Sequence, residues 1–399
     1  MTPITSTTDL AAFCMRLQGK PFVAVDTEFM RETTYWPKLC LIQAAAPDGI
    51  EATIDPLAEG LDLAPFLATL RDPKLLKVFH AARQDVEIFN ILGAMPAPLF
   101  DTQIAGMAAG FGEQVAYDAL VRKILKVEID KSHRFTDWSR RPLSEAQLTY
   151  ALADVTHLAT LYPILRSRLE KAGRLSWVTE EMAAINDPAL YDVDPENAWR
   201  RLKPRRHTAK YLAVFRAVAA WRERTAQQRD QPRGRILKDE AIDELADQAP
   251  TEADVLNRLR SVPKGFGGSR YGPELIEAIR ESLKDPEAYA PTIERDRGPA
   301  SPAAGAVVEL LKVLLKARAE DAGVASKLIA TVADLEKIAA DDRADAPALR
   351  GWRREAFGED ALKLKRGELA LVLDGTHVRV VPVRRAARAA AQSTTSSER

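Results

Sequence analysis

The segment FVAVDTEF, residues 22–29, places two acids directly after a run of apolar residues. Such a run predicts a strand. Side chains two positions apart on a strand lie on one face, so Asp26 and Glu28 are expected to share a face with Phe22 and Ala24. Two acids at the end of an apolar strand are unfavourable to bury unless a cation compensates them, and Mg2+ or Mn2+ bound by carboxylates would do so. A solvated strand end accounts for the pair equally well.

The segments around this strand alternate between strand-like and helix-like patterns. Residues 39–44 and 50–54 predict two further strands, and the Pro-Asp-Gly turn between them favours antiparallel pairing. Residues 75–79 predict a buried strand that leads into a helix ended by Gly93, and residues 99–100 predict a short strand before another helix. This succession predicts a mixed sheet with helices packed on it, an α/β arrangement.

A long helix further along the chain carries Tyr150 and Asp154. Ser144 and Gln147 predict a capping box, which fixes where this helix begins. Tyr150 and Asp154 are then four positions apart on one face, and leucines continue near that face, so it is expected to point inward. An inward-facing acid and phenol need partners. Pairing of Asp154 with His157 or an arginine, with Tyr150 as ordinary core, remains an alternative.

The remaining acid of interest, Asp85, lies in the helix that follows the strand at residues 75–79. Val86 and Phe89 are expected to pack inward, with Asp85 at the margin of that face. On its own, an acid in this position is more often a surface residue. The order of the three segments is more specific: an acid pair on a strand, then a helical acid, then Tyr-x-x-x-Asp on a second helix.

Several longer runs support one interpretation of this order. They are VDTEF at residues 25–29, YWPKLCLIQ at 35–43, IDPL at 54–57, FDTQI at 100–104 and YALADV at 150–155. On these runs the chain resembles the DEDD exonucleases of the tyrosine-containing subclass, and within them the ribonuclease D family. The resemblance covers residues 1–290 well, and it implies a ribonuclease-H-like exonuclease domain over residues 1–195.

The resemblance also implies the chemistry. The catalytic set would be Asp26, Glu28, Asp85, Tyr150 and Asp154, with the four acids binding two divalent metal ions, Mg2+ or Mn2+. Asp26 would bridge both ions, Glu28 and Asp154 would bind one, and Asp85 would help to hold the other. Such a pair of ions stabilises both the attacking and the leaving oxygen of a phosphoryl displacement. Tyr150 would orient the attacking water, since a free phenol is a poor base at neutral pH.

The pattern changes after about residue 195, where helical periodicity replaces strand signals. Residues 205–290 resemble the first helicase-and-RNase-D C-terminal (HRDC) domain of the family. Residues 301–383 follow a Gly- and Pro-rich linker, resemble a second HRDC domain loosely and end in a predicted hairpin. Residues 384–399 predict a disordered tail. The expected architecture is an α/β ribonuclease-H-like domain with a mixed sheet, followed by two small, mainly α-helical HRDC-like domains.

Basic residues concentrate at residues 130–141, 200–238 and 264–272, and the last segment also holds glycines and aromatics. Such clusters are typical of nucleic-acid contacts. The candidates are Lys131, Arg134, Trp138, Arg140, Arg205, Arg206, Lys264 and Arg270. The alternatives are that Trp138 is a structural anchor and that the basic stretches are solvated or paired with acids elsewhere. Three polar residues of the exonuclease domain, His80, Asp101 and Gln103, are interpreted as structural supports.

Bulk composition limits the remaining classes. The 399 residues include 57 basic and 57 acidic side chains, so net charge identifies no partner. Cys14 and Cys40 lie in no metal-binding pattern. No apolar run approaches the ~20 residues of a membrane span, and the N-terminus lacks the features of a signal peptide. We expect a cytoplasmic protein of two or three domains without a membrane partner.

The expected function is that of a metal-dependent 3′–5′ exoribonuclease that releases 5′-mononucleotides. Its expected partners are RNA molecules, in particular transfer-RNA precursors with 3′ extensions, and a monomer is the simplest state. Two alternatives stay open. The same chemistry could act on DNA, because metal-binding carboxylates do not distinguish the sugars. The chain could also be a non-catalytic nucleic-acid-binding scaffold.

Overall fold

A five-stranded sheet organises the first half of the chain. The structure, a computed structural model, describes residues 2–130, 132–133, 136–292 and 302–383, so the predicted tail at 384–399 lies outside the described residues. The strands are β1 (Phe22–Met30), β2 (Lys38–Ala46), β3 (Ile50–Ile54), β4 (Leu76–Phe79) and β5 (Leu99–Asp101). Their order in the sheet is β3-β2-β1-β4-β5.

The sheet is mixed, as the sequence predicts. β2 pairs antiparallel with both β1 and β3, whereas β1, β4 and β5 run parallel. Short turns join the antiparallel strands, and the parallel strands are reached through helices, which a crossover requires. β1 is therefore central, and its register with β2 shifts between Glu28 and Phe29. A bulge at this point re-aims the side chains at the end of the strand.

Seven helices accompany this sheet. They are α1 (Thr7–Leu17), α2 (Ala64–Arg71), α3 (Arg83–Ile91), α4 (Thr102–Ala108), α5 (Tyr117–Leu125), α6 (Glu145–Lys171) and α7 (Leu175–Ile185). The predicted capping box of Ser144 and Gln147 is present at the start of α6. The buried side chains of α6 include Leu158, Leu161 and Leu165, so the face that carries them packs inward as predicted.

A first helical unit follows, after 3-10 turns at Pro188–Leu190 and Pro195–Arg201. It comprises α8 (Ala209–Arg229), α9 (Arg233–Ile236), α10 (Asp239–Gln248), α11 (Ala253–Leu256), a 3-10 turn at Phe266–Gly268, α12 (Gly272–Lys284) and α13 (Pro286–Tyr289). Its core is separate from that of the sheet but includes Tyr35 from the β1–β2 loop. The amides of Tyr35 and Trp36 donate to Asp230 Oδ1 at 3.0 and 2.9 Å, which fixes this unit to that loop.

A second helical unit comprises α14 (Pro302–Ala322), α15 (Ser326–Ile329), α16 (Val332–Ala340), a 3-10 turn at Pro347–Leu349, α17 (Gly351–Arg353), a π turn at Arg354–Gly358 and α18 (Glu359–Lys365). The predicted hairpin is formed by β6 (Leu369–Asp374) and β7 (His377–Pro382). α14, α15 and α16 each begin 93 residues after α8, α9 and α10. The helix order of the first unit is thus repeated.

The second unit differs from the first in how it is attached. Its buried residues, including Leu311 and Phe357, belong to the same hydrophobic cluster as the sheet residues Val23 and Phe79. The two parts therefore share one continuous core rather than meeting as separate bodies. Among the helices of the described residues, none combines the length and the hydropathy that crossing a bilayer requires.

Candidate active site

Three acids from two elements meet at the end of the central strand. β1 carries Asp26 and Glu28, and α6, which packs against β1 and β2, carries Asp154. One carboxylate oxygen from each of these residues lies within 4.8 Å of the others. The structure thus brings together three of the four acids that the sequence singled out. Asp154 takes neither partner of the alternative interpretation, because within the described residues it forms no ion pair with His157 or an arginine.

Burial and mutual repulsion make this cluster unfavourable for free negative charge. Burial raises the pKa of Asp26 to about 6. Burial, followed by the charges of Asp26, Asp154 and Asp85, raises the pKa of Glu28 to about 9. Burial and then Asp26 raise the pKa of Asp154 to about 8. The cluster must therefore hold protons or a cation at neutral pH, and Mg2+ or Mn2+ suits an all-oxygen donor set.

Asp85 lies beside this cluster but outside the group of three. Thr27 Oγ1 donates to Asp85 Oδ1 at 2.5 Å, which ties α3 to β1. Burial and then the charge of Asp26 raise the pKa of Asp85 well above its ordinary value. Asp85 is buried together with Val86 and Phe89, so it is not the surface acid that a lone residue in this position would more often be. Asp85 is thus close enough to Asp26 for the charge of Asp26 to raise the pKa of Asp85. From this position Asp85 could help to hold a second ion.

Trp138 and Tyr150 form an aromatic stack beside the acids. Their ring centroids lie 6.2 Å apart with the planes inclined by 30°. Trp138 is only 2% exposed, within a small cluster that includes Cys40, Leu41 and Leu148. The prediction that Trp138 stacks on a base is therefore wrong in this structure, because neither face of its ring is open to a nucleotide. The ring instead supports Tyr150, which is the structural alternative that the sequence left open.

A cavity of about 370 Å³ opens onto the acids. Asp26, Tyr150 and Asp154 contribute to one side of it. The rest of its lining comes from α4, α5 and the loop between them, namely Gln103, Gln114, Ala116, Tyr117 and Asp118, together with His80, Ala81, Ile129 and Leu158. The volume and the polar lining suit a group the size of a nucleotide.

Sequence reasoning missed Tyr117. Its hydroxyl donates to the carbonyl oxygen of Asp154, so it bridges α5 to the helix that carries that acid. Thr27 was also missed, although it stands between the two acids of β1. Nothing in the local pattern marks either residue, because their partners come from distant segments.

The residues interpreted as supports behave in that way. Asp101 accepts from the amides of Ala81, Ala82 and Gln103 at 3.0, 2.9 and 2.7 Å, which joins the starts of α3 and α4. His80 Nδ1 lies 3.0 Å from Thr102 Oγ1. His80 and Gln103 also line the cavity, so both lie at the site itself.

The basic residues predicted to contact nucleic acid differ in whether the structure describes them and in whether they pair with acids. Lys131 and Arg134 lie outside the described residues. Arg140 has an 84% exposed side chain and pairs with Asp137. Arg205 and Arg206 are mostly exposed but pair with acids of α10, Asp243 at 3.3 Å and Asp247 at 2.6 Å. Other arginines of residues 200–238 also pair with acids, including Glu196, Glu223 and Asp239. Much of the basic stretch is thus neutralised by acids within and next to the first helical unit.

The loop at residues 264–272 serves packing more than ligand access. Lys264 and Arg270 are exposed. Phe266, by contrast, is buried against Trp221, so it has no free face for a base. An added Cβ at Gly267 would lie 2.6 Å from the carbonyl oxygen of Ala253. The glycine there allows two backbone segments to touch, so Phe266 and Gly267 serve packing rather than the nucleic-acid contacts predicted for this segment.

A central mixed sheet with converging acids defines a nuclease of the 3′–5′ exonuclease class. Residues 1–170 match the family model described as a 3′–5′ exonuclease, and residues 211–279 match the HRDC domain model. The second helical unit is not part of the HRDC match.

Whole-chain comparisons are more specific. Ribonuclease D of Nitrobacter hamburgensis is 53% identical over 382 residues, which span 95% of this chain and 99% of that protein. Ribonuclease D of Granulibacter bethesdensis is 51% identical over 381 residues, 95% of this chain and 96% of that protein. The crystal structure of Escherichia coli RNase D, an exoribonuclease involved in structured RNA processing, superposes with a TM-score of 0.79 at 29% identity, covering 92% of this chain and 99% of that one.

The chain belongs to the ribonuclease D family, and it is a 3′–5′ exoribonuclease that acts on RNA. Enzymes of this exonuclease class are metal-dependent.

The hydrogen bond between Thr27 and Asp85 gives a first prediction. Thr27→Val keeps the size and branching of the side chain but removes the donor to Asp85. A hydrogen bond to a charged group is worth roughly 1.5–3 kcal/mol, so we expect kcat for RNA hydrolysis to fall by about tenfold with little change in KM. Steady-state kinetics on a single-stranded RNA would measure this. Thr53→Val is a matched control, since Thr53 is a buried strand threonine on β3 whose hydroxyl has no hydrogen-bond partner in the part of the chain that the structure describes. Equal kcat values in the two variants would contradict the role of Thr27.

Proposed function

We propose that this protein shortens structured RNAs from their 3′ ends with two divalent metal ions, and that transfer-RNA precursors with 3′ extensions are among its substrates. The observation that carries the proposal is the convergence of Asp26, Glu28 and Asp154 at one edge of a cavity of nucleotide size. Membership of the ribonuclease D family supports the choice of RNA. The description of the Escherichia coli relative supports a structured substrate.

The four acids fit a pair of divalent ions. Asp26 would be shared between the two, with Glu28 and Asp154 on one side and Asp85 towards the other. When bound, the ions stabilise the attacking and the leaving oxygen of the displacement. The raised pKa values of Asp26, Glu28 and Asp154 support this assignment, because buried carboxylates without a cation would remain partly protonated at neutral pH.

Tyr150 would orient the attacking water. The Trp138 ring stacks against it, and the ring of His133 lies 6.3 Å from it at an angle of 63°, so the phenol is held on two sides. Tyr117 holds the backbone of Asp154, which keeps that acid in place while RNA enters and leaves the cavity. The products would be 5′-mononucleotides, because the bond broken lies on the 3′ side of the preceding ribose.

Incubation of the purified protein with a 3′-extended transfer RNA, with Mg2+ or with chelator, tests this proposal. We expect stepwise loss of the extension, release of 5′-mononucleotides, and no reaction in chelator. Single-stranded DNA of matched sequence is run alongside, because only contacts to the 2′-hydroxyl separate the two substrates. Faster degradation of DNA would favour the DNA alternative, and an intact RNA in Mg2+ and in Mn2+ would overturn the proposal.

The domain organisation is also proposed here. We assign residues 1–195 to the exonuclease domain, 205–290 to the first HRDC domain and 301–383 to a divergent second one. The shared order of α8–α10 and α14–α16 supports the last assignment. We further propose that the protein works as a monomer in the cytoplasm. Sedimentation of the purified chain tests the first of these two statements.

A further inference from the structure

One wall of the catalytic cavity is made by a loop with little regular structure of its own. The α4–α5 loop, residues 109–116, supplies Gln114 and Ala116 to the cavity, and the helices that flank it supply Gln103 and Tyr117. Gln114 adopts a positive φ of 45° and is exposed. A loop of this kind needs outside support to hold its side chains in a fixed position relative to the acids that line the same cavity.

The second helical unit supplies that support at three points spaced along the wall. The amide of Ala325 donates to the carbonyl oxygen of Met107 at 3.1 Å, near the end of α4. The amide of Lys327 donates to Glu113 Oε1 at 3.3 Å. Between them, the backbones of Gly110 and Gly323 touch, because an added Cβ at Gly110 would lie 2.6 Å from the carbonyl oxygen of Gly323.

Arg174 reinforces the same junction from the loop between α6 and α7. Its guanidinium donates to the carbonyl oxygens of Ala108 at 2.9 Å and Gly323 at 3.3 Å, and also to that of Ala322. One side chain thus satisfies carbonyl groups at the C-terminal ends of α4 and α14, groups that helices leave without partners. The guanidinium of Arg174 therefore joins the wall to the second unit, because it donates to carbonyl groups of both.

A separate anchor fixes the second unit to the exonuclease domain. The rings of Trp177 and Trp352 stack with centroids 4.2 Å apart and planes inclined by 8°. Next to them, Arg353 pairs with Glu181, and both side chains are mostly buried. Together with the continuous hydrophobic core, these contacts hold the second unit in a fixed position against the exonuclease domain.

We propose that the second helical unit positions the α4–α5 loop, and through it the substrate wall of the cavity, and that Gly110 and Arg174 are the positioning residues. This inference rests on the proposed function in taking RNA as the occupant of the cavity. If the wall is displaced, the cavity binds the terminal nucleotide of the RNA more weakly. Asp26 and Glu28 are held by β1, and Asp154 is held by the packing of α6 on β1 and β2 as well as by Tyr117, so the chemical step is affected less.

Two glycines of the same loop allow a controlled test. Gly110→Ala and Gly112→Ala both place a side chain at positive φ, +82° and +107°, and so share the backbone strain. At Gly112 no atom of the described residues lies within 4 Å of the added Cβ, whereas at Gly110 the added Cβ meets the backbone of the second unit. Any difference between the variants therefore reports the contact with that unit.

We expect KM for single-stranded RNA to be about tenfold higher in Gly110→Ala than in Gly112→Ala, whereas kcat should differ far less between the two variants. Hydrogen exchange measured by mass spectrometry should show faster exchange of residues 109–117 in Gly110→Ala alone. Equal KM values and equal exchange in the two variants would overturn the inference.

A second pair covers the case in which Gly110→Ala fails to fold. Arg174→Ala removes the shared cation, and Arg166→Ala removes an arginine of α6 that bonds Glu170 and Tyr162 on its own helix. The same rise in KM and in exchange is expected for Arg174→Ala and not for Arg166→Ala. If the wild-type protein degrades no RNA, the proposed function fails, and the exchange measurements still decide whether the second unit positions the loop.

Discussion

Asp26→Asn should reduce turnover of a 3′-labelled RNA in Mg2+ by about a thousandfold or more, while the fold and the affinity for RNA remain largely intact. Asp26 lies between the other acids of the site, and its charge contributes to the raised pKa values of Glu28, Asp85 and Asp154. The amide of asparagine has the size of the carboxylate but lacks its charge, so one shared ligand is lost with little change in packing. Single-turnover kinetics and an RNA-binding titration would measure the two properties separately.

The matched control for this variant is Asp254→Asn, which removes an exposed acid of α11 in the first helical unit. That change should leave turnover within about twofold, because surface substitutions away from special features have small effects. Wild-type hydrolysis by purified Asp26→Asn would show that the carboxylate is not needed, and the assignment of the site would be wrong.

Magnesium should raise the apparent Tm of the protein, and the gain should be larger at pH 8 than at pH 6. The folded-state pKa values of Asp26, Glu28 and Asp154 lie above their ordinary values, at about 6, 9 and 8. Folding therefore favours their protonated forms. That contribution is fully present below pH 4 or so and is lost as pH rises through these values, so the metal-free protein becomes less stable towards pH 9.

Divalent ions replace the lost protons, and their binding strengthens as the acids ionise. One pKa unit corresponds to about 1.4 kcal/mol. Because the ionisation of these acids increases between pH 6 and pH 8, the Tm gain caused by Mg2+ should be about 5 °C larger at pH 8 than at pH 6. Differential scanning calorimetry with Mg2+ and with chelator measures this. Asp26→Asn combined with Asp154→Asn serves as the control, and it should be more stable than the wild type without metal and nearly insensitive to Mg2+. A gain that shrinks with pH would contradict the account.

The sheet and its acids were accessible from sequence because local patterns determine them. The apolar run before Asp26 predicts β1, and the two-residue repeat of a strand then gives which of its side chains share a face. The capping box at Ser144 fixes where α6 begins, and the leucines that follow then indicate that Asp154 lies on the inward face of the helix. Tight turns set the antiparallel pairing of β2 and β3. Each of these signals lies within a few residues of the element that it defines.

Features that depend on distant partners were not accessible in this way. The composition around Trp138 does not show that Tyr150 would cover its ring. Likewise, the count of basic residues after residue 200 does not show that acids of α10 would neutralise Arg205 and Arg206. Gly267 lies in a glycine-rich segment whose composition is typical of a flexible loop, yet its backbone packs against Ala253. In each case the deciding contact joins segments that no periodicity connects.

The most direct test of the site is anomalous diffraction from crystals of the wild-type protein grown with Mn2+. We expect two anomalous peaks in contact with carboxylate oxygens of Asp26, with Glu28 and Asp154 on one of them and Asp85 towards the other. Strong peaks elsewhere in the protein, with none between β1 and α6, would contradict this assignment.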